Sequence, residues 1–176
     1  MWFIGIGGYM QHRFITTVLG TLKPNLLQSL AQVSREIGAS WETSKVIKLD
    51  GQFVAMMRVM IDVDKEAALK QALEQQFSQL TFVYAEYEHD SVRLSQECKL
   101  TLDCNDRSGL THDMNQILAD LEVSVDHQEC YRVQVTSLGK TVYSAKLTLR
   151  LPENVTIALL ISQLETLSDN IRIEVN

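Results

Sequence analysis

The stretch LLQSLAQVSREI, residues 26–37, places Leu26, Leu30, Val33 and Ile37 at steps of four, three and four, one apolar face of a helix. Pro24 just ahead of it suits a helix N-terminus. Eighty-four residues further on, Leu110, Met114, Ile117 and Leu121 repeat the stripe after Arg107-Ser108-Gly109. The correspondence runs past the helices, since Ile37-Gly-Ala-Ser40-Trp-Glu42 is answered by Leu121-Glu-Val-Ser124-Val-Asp126. The chain is therefore read as two copies of one unit.

Working outward, a β-branched stretch at Arg13 to Leu19 precedes the first helix, and Ser40 to Leu49 and Gln52 to Asp62 follow it as strands around an Asp50-Gly51 hairpin turn. A second helix is expected to bury Leu69, Leu73, Phe77 and Leu80, and Thr81 to Glu88 closes the unit as a strand. The second copy reads the same way. Its strands run from Arg93 to Cys104, near Val125 to Val135, from Thr141 to Leu151 and from Ile171 to Val175, with Ser137 to Lys140 joining the middle pair. Its last helix buries Ile157, Leu160, Leu164 and Leu167. Each copy is thus βαββαβ, an α+β arrangement, with the polar His89-Asp90-Ser91 as boundary. The expected division is a short arm over residues 1–10, a first domain over 11–89 and a second over 92–176.

Alternation assigns the sheet faces. Phe53, Ala55, Met57, Val59 and Ile61 answer Tyr143, Ala145, Leu147 and Leu149 as the helix-covered face. The opposite face carries Val54, Met56, Arg58 and Met60 in the first copy but Val142, Ser144, Lys146 and Thr148 in the second. The first copy is the more apolar there. Its surface suits packing against another domain, the N-terminal arm or a partner protein.

Composition narrows the function. The 176 residues are 45% hydrophobic, enough for packed cores. With 16 basic against 22 acidic residues, the net charge of −6 gives no footprint for a phosphate backbone, so no direct contact with nucleic acid is expected. No apolar run is long enough for a bilayer, and no membrane association is expected. Cys98, Cys104 and Cys130 lack metal-type spacing and read as free thiols in a reducing cytoplasm. Gly5-Ile6-Gly7-Gly8 lacks the flanking strand and helix of a phosphate loop, and Trp2, Phe3, Ile4, Ile6 and Tyr9 read instead as an apolar arm. His127 and Cys130, three apart on a strand, point to opposite faces and make a poor metal pair. No catalytic constellation is found, and neither an enzyme nor a cofactor or metal is expected. An acylphosphatase would need a glycine-rich cradle around Arg107 and Asn105, and an RNA-recognition motif would need aromatic residues on the third strand.

What remains is the loop between first strand and first helix, Gly20 to Leu27 and Cys104 to Thr111. Amides at a helix N-terminus can hold a small carboxylate, and ordinary capping by Asp106 or Asn105 is the alternative. Asp106-Arg107-Ser108-Gly109-Leu110 resembles the G-x-D-R-P-G-L loop of ACT domains. Residues 11–176 accordingly resemble a tandem of ferredoxin-like ACT domains, whose antiparallel sheets are covered by helices on one face. A chain of this size without a catalytic domain is most similar to the glycine cleavage system transcriptional repressor family.

The resemblance implies a non-enzymatic regulator that binds, or once bound, a small amino acid such as glycine or serine between paired domains. It further implies contact with a protein partner, possible homo-oligomer formation, and a transcription activator of glycine or one-carbon metabolism as that partner. The ligand-binding candidates it carries over are Asp106, Arg107, Gly109, Leu110 and Ser124 in the second copy, and Asn25, Leu26 and Ser40 in the first. Leu22 stands where a polar ligand group belongs, Asn25 replaces a glycine and Ser108 a proline. These departures support a second expectation, a constitutive interaction protein with degenerate sites.

Overall fold

The structure, a computed structural model, describes residues 10–87, 96–137 and 139–176. The expected arm and the 89–91 boundary lie outside the described residues, apart from Met10. The chain divides into two compact units, Met1–His89 and Asp90–Asn176.

In the first unit β1 (Gln11–Thr21) leads to α1 (Leu26–Ile37), the hairpin β2 (Ser40–Leu49) and β3 (Gln52–Asp62), α2 (Glu66–Gln76) and β4 (Thr81–Glu86). The second unit repeats this as β5 (Gln96–Asn105), α3 (Leu110–Asp120), β6 (Ser124–Val135), β7 (Lys140–Leu151), α4 (Ile157–Leu164) and β8 (Arg172–Val175). Each sheet is antiparallel, in the orders β2-β3-β1-β4 and β6-β7-β5-β8. Both sheets place the first and third strands centrally, where burial is deepest.

The helix-facing residues of β3, Phe53 to Ile61 at every second position, are all buried, as are Tyr143, Ala145, Leu147, Leu149 and Leu151 on β7. Helix stripes close both cores: Leu26, Leu30 and Val33 with Leu69, Leu73, Phe77 and Leu80 in the first, and Leu110, Met114, Leu118, Leu160, Leu164 and Leu167 in the second. On α3 the deepest third position is Leu118, whereas Ile117 and Leu121 are only partly buried against the core. Ile157 is likewise at the margin. Asp50 and Gly51 both take positive φ, 47° and 83°, as a tight two-residue hairpin turn requires. Cys98 and Cys104 lie in the second core, and Cys130 is exposed.

Candidate functional site

β5 delivers the chain into the loop ahead of α3, where Gly109 caps the helix at φ 80° without any side-chain cap bond. Asn25 takes the corresponding place before α1 at φ 62°, again without a side-chain cap. Among the described residues, neither the Asp106 nor the Asn105 side chain is bonded to an amide of the first turn of α3. The Asp106 amide donates to Thr141 O at 2.9 Å, which anchors the loop to β7. Its carboxylate turns toward β6 and accepts from Arg132 Nε at 3.2 and 3.1 Å. Asp106 is therefore already paired with a cation.

Arg132 sits over the Tyr143 ring, 5.3 Å from its centroid. Register explains the meeting, because Arg132 lies directly opposite Tyr143 across β6 and β7. Tyr143 is fully buried, accepts from Thr111 Oγ1 and donates to Cys130 Sγ, both at 3.1 Å. Burial, then the Cys130 thiol, push its phenol up to about 12, so it remains a neutral hydrogen-bonding support at ordinary pH.

Arg107 is also committed. Its Nη1 meets Asp113 Oδ2 at 2.7 Å, and Nη2 and Nε donate to Leu167 O at 3.2 and 3.4 Å. This ties the loop to the end of α4 and leaves the guanidinium partly exposed beside α3. Leu110 is buried, so only its backbone faces the loop. Among the described residues, and apart from its own chain neighbours, no atom lies within 4 Å of a Cβ placed on Gly109, so the space beside the start of α3 is open.

Asp106, Arg107, Gly109 and Leu110 are therefore brought together, and Ser124 is not. Ser124 pairs with Arg150, itself opposite Glu97, while the loop leaves β5 at Asn105. Eight residues of strand separate the two levels, about 27 Å. The first unit shows the same geometry: Asn25 and Leu26 lie beyond Thr21, whereas Ser40 pairs with Met60, opposite Arg13. Within one unit a small ligand cannot touch both the loop and the matching serine.

Sequence reading missed Arg132, Thr111 and Tyr143. Their counterparts by repeat and register are Lys48, Leu27 and Phe53, with Leu22 in place of Asp106. Leu22 and Leu27 pack against the first core, and Phe53 is buried within it. The loop of the first unit thus rests on apolar groups, and that of the second on a polar network. The signal was the exchange of Leu22 for Asp106 and Phe53 for Tyr143, each visible in the repeat. Their meeting with Arg132 depended on strand register.

Among the described residues, no group of three or more His, Cys, Asp or Glu side chains could hold a metal ion, and His127 pairs instead with Glu129 at 3.3 Å. An open depression of about 240 Å³ lies on the uncovered face of the second sheet, lined by Lys99, Thr101, His127, Glu129, Lys146 and Thr148 among others. Its charged side chains are Lys99, Lys146 and Glu129. Among the described residues, no helix is long and apolar enough to cross a membrane.

Residues 12–84 match the family model of the ACT domain. Solved structures that align with nearly the whole chain include two with a TM-score above 0.7. One, described as an unknown protein from Galdieria sulphuraria, is 17% identical with a TM-score of 0.81, covering 95% of this chain and 98% of its own. The other, a proposed glycine cleavage system transcriptional repressor, is 15% identical with a TM-score of 0.71, covering 95% of this chain and 97% of its own. No curated protein matches. At these identities the likeness speaks for the fold alone: the unit that contains the matched residues 12–84 has the ACT-like fold, and the second unit repeats it.

Proposed function

We propose that this protein is a non-catalytic regulator that binds a small amino acid, such as glycine or serine, at the first loop of the second unit. Binding there is relayed to a protein partner. The observation that carries this reading is the Asp106–Arg132 pair beside the open N-terminus of α3. An α-amino acid presents an ammonium and a carboxylate a few ångströms apart, and the pair offers one complementary charge to each. Opening it exchanges one ion pair for two, while α3 amides next to Gly109 add donors for the carboxylate.

The first unit, with Leu22 and Lys48 in these places, offers no such pair and is assigned no ligand. Arg107 keeps the loop seated through Leu167 O and Asp113 and shapes the pocket without having to leave them. The partner we propose is a transcription activator of glycine or one-carbon metabolism in the cytoplasm. The whole-chain likeness to a proposed glycine cleavage repressor and the acidic balance support that choice. Thermal melts of the full chain against a panel of amino acids test the ligand class, because a ligand that binds only the folded state raises the midpoint with concentration. Glycine or serine should raise it, and an acetate or ethylamine control should not. A panel without any shift at millimolar ligand would contradict the reading.

A further inference from the structure

The uncovered face of the first sheet joins an apolar area to a cationic one. Leu19, Ile47, Met56 and Val83 project from four strands and are 45%, 54%, 50% and 57% exposed, with Val54 and Ile15 half-buried between them. Beside them Arg13 Nε and Arg58 Nε each lie 3.0 Å from the Glu42 carboxylate. Arg58 is further held by donating to Thr43 Oγ1 at 3.2 Å and by the Tyr87 ring, 5.1 Å from its guanidinium carbon. Lys45 stands opposite Met56 across β2 and β3 and shares their face. Asp62, at the far end of β3, is taken up by Lys65 at 3.0 Å. Among the described residues around the apolar area, three cations therefore stand beside one carboxylate, in a chain whose net charge is −6. The same face of the second sheet carries Lys99, Thr101, Asp103, Ser144, Lys146 and Thr148, acid and base mixed with hydroxyls.

We propose that this face of the first unit docks an acidic amphipathic helix of a protein partner. The apolar stripe of that helix lies on Leu19, Met56 and Val83, and its carboxylates turn toward Arg13, Lys45 and Arg58. The inference takes from the reading above only that the partner is a protein.

Size and charge select this occupant. Four strands about 4.8 Å apart make the patch about 15 Å wide, and the rows from Val54 to Arg58 span about 13 Å along β3. A helix is about 10 Å across and rises about 5.4 Å per turn, so two to three turns of one helix cover it. An open sheet face does not enclose a small molecule, but it meets a helix as the covered face meets α1 and α2. A second copy docked across a two-fold axis would bring the same cationic surplus and no carboxylates to meet it. An anionic bilayer would extend over the whole face, Asp62 and the hairpin acid Asp50 included, whereas one helix stays on the patch. Carboxylates flanking an apolar stripe complement the three cations and are steered to them.

The test is a display library of amphipathic helices with a fixed leucine stripe and flanks randomised among Glu, Gln and Lys, selected on the full chain and counter-selected on Met56→Asp. No amino acid is added, so the result is read separately from that of the ligand site. Helices with Glu flanks should be enriched, and the best should bind about 10-fold more tightly than its Lys-flanked counterpart, less so in high salt. Val83→Asp should abolish binding, and Lys146→Glu on the second sheet should leave it unchanged. Arg13→Glu combined with Lys45→Glu should reverse the preference to Lys flanks, which a merely disordered face cannot do. Enrichment of neutral or basic flanks, binders that survive both Met56→Asp and Val83→Asp, or no binder beyond the counter-selection overturns the proposal. So does binding to phosphatidylglycerol vesicles that Met56→Asp removes, which makes the face a membrane surface. A dimer in sedimentation that Met56→Asp dissolves overturns it as well, because the occupant is then a second copy of the chain.

Discussion

Among the described residues, Thr16 is a core position in which the two units disagree in polarity without a compensating bond. Its Oγ1 is buried and, among the described residues, has no hydrogen-bond partner, and the matching residue of the second unit is Leu100. An unsatisfied buried hydroxyl costs about 1–3 kcal/mol, so Thr16→Val should raise the stability of the first unit by about 1 kcal/mol, read from urea unfolding. A lower midpoint would reveal a partner for the hydroxyl. His12 on β1 behaves differently. Its Nδ1 lies 2.5 Å from Glu66 Oε2 and its Nε2 3.2 Å from Glu86 Oε2. The bond to Glu66 is the main reason that its pKa is raised above 6.5, while Lys70, bonded to the same carboxylate, is the main reason that Glu66 falls below 4.5. Protonated His12 is thus favoured by folding. Its stabilisation is full below 6.5 and is lost as pH rises through the higher folded value, whereas that of Glu66 is full above 4.5 and is lost as pH falls through the lower folded value. The first unit should therefore melt highest between those limits, and His12→Gln should flatten the decline on the alkaline side. An unchanged decline in His12→Gln would remove His12 from the account.

At the scale of elements, α1 and α3 both begin from a left-handed residue, Asn25 in one case and Gly109 in the other. Among the described residues a methyl group at Gly109 would meet no neighbour beyond its own chain neighbours, so Gly109→Ala should cost about 1 kcal/mol through the backbone alone. Asn25→Gly should be close to neutral, since asparagine tolerates that conformation. Chemical unfolding of the two variants checks both, and an equal loss in each would show that the caps are not equivalent. These helices also show what was legible beforehand. The repeat at 84 residues, the strand limits around Asp50-Gly51 and the buried alternation on β3 and β7 follow from period and turn chemistry, and the observed elements agree with them. The α3 stripe was read as Leu110, Met114, Ile117 and Leu121, yet Leu118 is the buried member. Steps of three and four both fit a helix, and only contact with the sheet selects between adjacent apolar residues. The site was legible in part for a similar reason. Asp106 and Gly109 sit in one short loop and are visible as a motif. Arg132 and Thr111 join them through register and packing, and the longer β6–β7 hairpin hides that Arg132 faces Tyr143.

Across the whole molecule, two units of one fold have diverged in opposite places. The first keeps an apolar loop support and a more apolar uncovered face, whereas the second has a charged pair beneath its loop and more polar residues on its uncovered face. On the function proposed above, ligand capture falls to the second unit alone. The division makes stoichiometry decisive, because two equivalent sites would need Leu22 to act as Asp106 does. The most direct test is a calorimetric titration of the full chain with the amino acid that stabilises it, beside Asp106→Ala, Arg132→Ala and Ser40→Ala. One site per chain is predicted, with affinity lowered about 10- to 150-fold by either change to the charged pair, the equivalent of about 1.5–3 kcal/mol for one charge-assisted bond. Ser40→Ala should leave affinity unchanged. Two equal sites, or binding that Ser40→Ala abolishes while Asp106→Ala and Arg132→Ala leave it intact, would contradict the account.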